Sequence, residues 1–311
     1  MIPNARAKLR HEMSLTLWGN ASLVHLSFFL YALLYLLKQI GQIKMRLLLI
    51  LFFGCFQLAW GQEAISIPYL DPMTGREIKL EAFVYEPKQP NGKTIVFSHG
   101  STGGNKAVIA ETIKFLRIGK IASDKGYRMV SFMRKGRGKS EGVFVEESGK
   151  CDRSHLGKEV GDAYPQLLQV ATWASKKYEI EKLIFMGHSR GGFLSSYFAG
   201  RHPERTMAAV SLAGVWSAFC EMSNGGFSRD MFSQSSQVFK NQFWAYFEND
   251  SYFAPDRFND PQYEWFSAMA KNKGVVFNKY PQLDRKDGHE TGTWRPDVWA
   301  NDVFSWLDGV K

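Results

Sequence analysis

Lys182-Leu-Ile-Phe-Met-Gly-His-Ser-Arg-Gly-Gly192 decides the fold. Leu183 to Met186 is a continuous apolar run, the pattern of a parallel-sheet strand buried on both faces. It runs directly into Gly187-His188-Ser189-Arg190-Gly191, a G-x-S-x-G pattern, and a helical stretch follows over 193–199. A strand that turns sharply into a helix sets its central residue on a strained corner, so the Ser189 hydroxyl stands above the sheet edge. Gly187 and Gly191 suit that corner because a side chain at either position would strike the neighbouring strand or helix. The helix N-terminus aims backbone N–H groups and its positive dipole end at any developing oxyanion. Alone, five such residues are common by chance. Between a buried strand and a helix they carry information.

Working outward, residues 64–68 and 76–85 read as an antiparallel edge hairpin turned at Asp71-Pro-Met-Thr-Gly75. Buried or alternating runs predict further strands at 94–97, 128–132, 207–213, 243–247 and 274–280. Helices are predicted over 106–123, 156–177, 261–272 and 297–310, with Pro165 expected to kink the second or delay its start. Strands alternating with helices indicate a mostly parallel α/β sheet flanked by helices. Residues 216–241, polar and dotted with aromatics and glycines, form too long a connection for a plain turn. They are read as a small cap insertion walling a substrate pocket, with Trp216 and Phe219 as pocket candidates.

The chain has 311 residues, 45% of them hydrophobic, enough for one α/β domain over 62–311. Its formal charge is +9, but residues 1–61 hold six Lys/Arg against Glu12 alone. The remainder has no long basic run, so no nucleic-acid partner is expected. Residues 47–60 are apolar, follow Lys44-Met45-Arg46 and end in Ala59-Trp60-Gly61, a small-x-small cleavage pattern. Residues 45–61 therefore read as a signal peptide and the protein as exported, periplasmic or secreted. The alternative is an uncleaved membrane anchor, which would make the leader the only membrane contact. Residues 1–44, with an apolar segment over 21–37, read as a leader translated from an early start codon, in competition with a true transmembrane helix. Cys55 leaves with the signal peptide, and Phe52 argues against lipidation there. Cys151 and Cys220 then remain as an even pair in an oxidising compartment, where a disulfide between them is expected. Two buried free thiols are the alternative.

A serine hydroxyl needs a base within hydrogen-bond reach and a group that orients the base. The carboxyl ends of parallel strands share one face, so residues leaving them converge. Of seven histidines, His11 and His25 fall in the leader, and His155 and His202 at polar helix ends. His99 belongs to a Gly-rich loop and His188 to the corner itself, both pocket candidates. His289, in a flexible glycine-flanked loop after the last strand, is the best base. Asp250 is the best acid, with Glu248 and Asp256 as rivals. The loop Ser98-His-Gly-Ser-Thr-Gly-Gly104 lets backbone approach a substrate, and the N–H of Ser101 paired with that of Arg190 forms an expected oxyanion hole. Arg134-Lys-Gly-Arg-Gly-Lys-Ser-Glu-Gly142 ends like a phosphate-binding loop, but Met133 stands where that pattern needs glycine, which excludes nucleotide binding. This turn is read as a solvated loop or as a basic edge of the cleft. No metal or organic cofactor is called for.

Taken in order, Ser98-His99-Gly100-Ser101, Arg137-Gly-Lys-Ser-Glu-Gly142, Gly187-His-Ser-Arg-Gly191, Glu248-Asn-Asp250 and Gly288-His289 resemble the α/β-hydrolase superfamily, in its dienelactone-hydrolase-like and prolyl-oligopeptidase-like branch. The resemblance covers the chain from about residue 76 onward. It implies Ser189 as nucleophile, Asp250 and His289 as its partners, and an acyl-enzyme intermediate. Dienelactone hydrolases proper use cysteine where this chain has Ser189, and the oligopeptidase propeller has no counterpart here. The function expected is hydrolysis of a small carboxylic ester. A peptidase or amidase on small peptides and a catalytically idle binding protein on the same scaffold are the alternatives.

Overall fold

The structure is a computed structural model that describes residues 62–101, 106–146, 150–216, 226–252, 262–283 and 287–311. The leader, Phe219, Cys220 and Asp256 lie outside the described residues. Among the described residues no helix is long and apolar enough to cross a membrane.

Strands β1 (Gln62–Asp71) and β2 (Arg76–Tyr85) form the expected antiparallel edge hairpin, in register from Gln62 opposite Tyr85 to Asp71 opposite Arg76. Asp71 closes the turn by accepting from Met73 N at 3.1 Å, as aspartate does in turns. Strand β3 (Thr94–Ser98) leads to a short helix α1 (Lys106–Ile109), and α2 (Leu116–Asp124) precedes β4 (Arg128–Phe132). The single helix predicted over 106–123 is therefore two. The intervening segment is tied outward, by Thr112 Oγ1 donating to Glu81 Oε2 at 2.7 Å and by Tyr85 Oη donating to the Lys114 carbonyl. Phe115 starts α2 at φ 52°, a left-handed conformation that a non-glycine residue holds only when its neighbours impose it. Its ring packs 4.6 Å from that of Phe97.

Helix α3 (Arg153–Tyr178) is capped by Asp152, whose Oδ1 accepts from His155 N at 3.0 Å. It runs through Pro165 as one element and starts earlier than predicted. Then come β5 (Leu183–His188), α4 (Arg190–Arg201), β6 (Thr206–Leu212), α5 (Phe227–Val238), β7 (Gln242–Phe247), α6 (Gln262–Lys273), β8 (Val276–Tyr280), α7 (Gly288–Trp294) and α8 (Ala300–Gly309). The sheet order is β1-β2-β4-β3-β5-β6-β7-β8, parallel from β4 to β8. Strands β3, β5 and β7 are buried at every position, so helices must cover both faces. Helices α3 to α6 pack in succession, while the turn between α2 and β4 meets α8, where Tyr127 Oη donates to Asp308 and its ring lies 5.2 Å from Phe304.

The described part of 216–241 corrects an expectation. It forms α5, which packs on α4 in the ordinary crossover between β6 and β7. Phe232 sits edge-on against Trp244 at 5.0 Å, so this aromatic covers the sheet instead of walling a pocket.

Candidate active site

Ser189 occupies the corner between β5 and α4 at φ 55°, ψ −121°. Its N–H donates to the Leu212 carbonyl at 2.9 Å, and its carbonyl accepts from Phe193 and Val215. These bonds hold a conformation that costs about 1–3 kcal/mol. The glycines are required at closest approach: a Cβ on Gly191 would lie 1.9 Å from the Ser98 carbonyl oxygen, and one on Gly187 2.4 Å from the backbone of Gly191.

Asp250 leaves β7 through a turn in which Asn249 has φ 54°. It is fully buried; its Oδ1 accepts from Tyr252 N at 2.9 Å and its Oδ2 pairs with His289 Nδ1 at 2.9 Å. Burial raises its carboxyl above the ordinary range, against the pull of the His289 charge and hydrogen bond. The rival Glu248 is exposed. His289 lies not in a flexible loop, as expected, but in the first turn of α7, and it is buried. Asp287 caps that helix by accepting from His289 N at 2.9 Å, and the same carboxylate accepts from Ser251 N at 2.8 Å and from Ser251 Oγ. One side chain thus joins the acid turn to the histidine turn. Burial alone would raise Asp287, but these hydrogen bonds hold it below the ordinary carboxylate range. The aspartate two residues before His289 was a readable helix-cap signal whose role the sequence reading missed.

A cleft of about 960 Å³ opens above these groups, lined by Ser189, His289 and His188 together with Gly100 and Ser101. A Cβ on Gly100 would fall 2.9 Å from Ser189 Cβ, so the backbone at Gly100 lies close against the corner. A hydroxyl, an imidazole oriented by a buried carboxylate and a close-approaching backbone are the parts that acyl transfer requires.

Residues 93–273 match the profile of the alpha/beta hydrolase fold family. The chain belongs to that family. No curated protein gives a significant match by sequence. Among solved structures the hydrolase is similar to an esterase of Pyrococcus furiosus, at 14% identity and TM-score 0.52, over 81% of this chain and 91% of that one. It is similar to Est1E of Butyrivibrio proteoclasticus with ferulic acid bound, at 17% identity and TM-score 0.50, over 70% and 89%. An S-formylglutathione hydrolase of Agrobacterium tumefaciens also matches, at 15% identity and TM-score 0.50, over 80% and 95%. At these identities the likeness is one of fold.

Two expected pocket residues of the hydrolase lie elsewhere, whereas His188 does line the cleft. Trp216 is fully buried, its Nε1 donating to Glu159 Oε2 at 3.0 Å and its ring 4.8 Å from the Arg190 guanidinium. His99 is fully buried beneath the cleft rather than lining it. The turn after β4 does not line the cleft and is solvated only in its second half: Arg134, Lys135 and Arg137 are buried, while Lys139 and Glu141 are exposed. Lys135 pairs with Asp162 at 2.5 Å and with Asp71 at 3.2 Å, which fastens the hairpin to α3. The cleft wall comes instead from the unwound segment between α1 and α2, from the start of α2 and from the end of α7, the two helices joined where Arg117 Nη1 donates to the Trp294 carbonyl at 2.6 Å. Cys151 is disulfide-bonded, and Cys220 lies outside the described residues. Among the described residues no group of three or more His, Cys, Asp or Glu side chains is placed to hold a metal ion.

Proposed function

We propose that the chain is an exported serine hydrolase that cleaves a carboxylic ester through an acyl-enzyme intermediate. The observation that carries this reading is the Asp250–His289 pair at 2.9 Å on the same cleft as Ser189, which stands on a positive-φ corner. His289 accepts the Ser189 proton as Oγ attacks the ester carbonyl. The N–H groups of Ser101 and Arg190 stabilise the oxyanion, and His289 returns the proton to the departing alcohol. Water, activated by the same imidazole, then releases the acid and regenerates Ser189.

Val108, Leu116, Tyr252 and Trp294 line the cleft as exposed apolar side chains, which favours esters with an apolar acyl or alcohol group. The esterase names of similar folds agree with this chemistry. Export rests on the pattern of residues 45–61, and the disulfide at Cys151 fits an oxidising compartment.

The test is labelling with a fluorophosphonate probe, expected for the intact protein and abolished in Ser189→Ala. Absence of labelling in the intact protein overturns the proposal. Faster turnover of aminoacyl anilides than of p-nitrophenyl esters would replace the esterase reading by a peptidase one. N-terminal sequencing of the secreted protein tests the leader: a mature chain that starts before Met45 overturns it.

A further inference from the structure

Beneath the cleft lies a cluster of buried charges that the proposed chemistry does not use. Arg134 is fully buried in the turn just after β4 and pairs with Glu146 through Nε and, at 2.8 Å, through Nη2. The same guanidinium turns back on the Gly-rich loop: Nη1 donates to the His99 carbonyl at 2.6 Å and Nη2 to the Gly100 carbonyl at 3.2 Å. His99 adds a third restraint, since Nδ1–H donates to the Gly100 carbonyl at 2.6 Å while Nε2 accepts from Arg134 N at 3.0 Å. Burial and the neighbouring Arg134 charge hold His99 neutral, which this pattern of one donor and one acceptor requires.

These bonds have a geometric consequence for Ser101. The Gly100–Ser101 peptide is trans, so its C=O and N–H point in opposite directions. Pulling the Gly100 carbonyl inward onto Arg134 and His99 drives the Ser101 N–H outward, on the side where Gly100 lies against Ser189. The second expected donor is governed by the same cluster. Arg190, whose N–H follows Ser189, places Nη1 3.5 Å from Glu146 Oε2 and 3.5 Å from Glu159 Oε2.

We infer that Arg134 and Glu146 are positioning residues that aim both halves of the oxyanion hole. Glu146 is the shared anchor: Arg134 on one side sets the Ser101 peptide, and Arg190 on the other fixes the corner after Ser189. A buried ion pair is weak as a source of stability, because desolvation offsets most of its attraction. Its worth here is in geometry. The inference rests on the serine-hydrolase reading and adds to it the residues on which transition-state stabilisation depends.

The experiment compares an aryl ester with its thionoester counterpart, in which sulfur replaces the carbonyl oxygen. A well-aimed hole prefers the oxyanion, because sulfur accepts hydrogen bonds weakly and sits farther out. Hydrolysis of the oxo ester by the wild type, lost in Ser189→Ala, is measured first, and its absence overturns the hydrolase reading itself. In Arg134→Lys, where one ammonium cannot span two carbonyls and a carboxylate, kcat/KM for the oxo ester should fall roughly 10²-fold with KM nearly constant, the scale of losing one donor. The thionoester rate should fall far less, so the oxo-to-thiono ratio drops at least about tenfold. His99→Leu removes a neutral ring and leaves the Arg134–Glu146 pair in place; it should lower the ratio by a smaller factor and serves if Arg134→Lys does not fold. A wild type without oxo preference, or a folded variant with an unchanged ratio, overturns the inference while leaving the hydrolase reading intact.

Discussion

His188 Nε2–H donates to the backbone carbonyl of His289 at 2.6 Å, so the residue before Ser189 holds the residue that pairs with Asp250. The carbonyl can only accept, which fixes the His188 proton on Nε2. The two rings lie 4.7 Å apart, and Gly292 gives the room, since a Cβ there would lie 2.9 Å from His188 Cδ2. His188→Phe keeps a buried ring and removes the donor. Steady-state kinetics should show kcat down about tenfold with KM within about threefold, as expected when a base is loosened rather than removed. An unchanged kcat would show that α7 alone positions His289.

Asp250→Asn tests the orienting acid. An amide can offer a donor to Nδ1 and stabilise the wrong tautomer of His289, so ester turnover should fall roughly 10³–10⁴-fold with little change in thermal stability. Glu248→Gln, at an exposed position, should leave turnover within about twofold. The reverse ranking would move the acid to Glu248.

Two glycine substitutions should act in opposite directions. Gly191→Ala places a methyl 1.9 Å from the Ser98 carbonyl oxygen and should abolish both folding at the corner and activity. Gly157, in the first half of α3, is exposed, and a methyl added there would meet nothing within 4 Å. Gly157→Ala should therefore add about 0.5–1 kcal/mol and raise Tm by about 1–4 °C, read by calorimetry.

Stability should fall on the acid side of neutrality. Burial pushes His188 down to about 3 from its ordinary 6.5, helped by the His289 charge, and it holds His99 well below the same value. Both are depressed in the folded state, so their contribution is complete above the unfolded value of 6.5 and is lost as pH falls below it. Each such histidine removes up to about 1.4 kcal/mol per pH unit over that window. Glu146 is also held low: burial opposes it, but the Arg134 charge and hydrogen bond and then Arg190 prevail, so its share is lost only below its ordinary 4.5. Urea midpoints measured from pH 7.5 to 5 should decline, and His188→Phe should decline less steeply. A flat profile would contradict the burial of neutral histidines.

What the sequence determined by itself was set by local physics. A continuous apolar run marks a strand covered on both faces, and a serine between two glycines after such a run marks the corner; both are short-range constraints. The chain order of Ser189, Asp250 and His289 could be read because parallel strands release their carboxyl ends on one face. Tertiary structure decided the rest. Arg134, Lys135 and Arg137 read as a hydrophilic turn, yet all three are buried, and carboxylates outside the turn meet two of them, Glu146 from just after it at Arg134, and Asp162 on α3 and Asp71 on β1 at Lys135. The helix expected over 106–123 breaks because Glu81 and Tyr85 on β2 capture its middle, and that break supplies the cleft wall assigned in the sequence to residues 216–241. Periodicity reports which residues avoid water; it does not report which distant partner satisfies a charge or a carbonyl, and those partners shape this site.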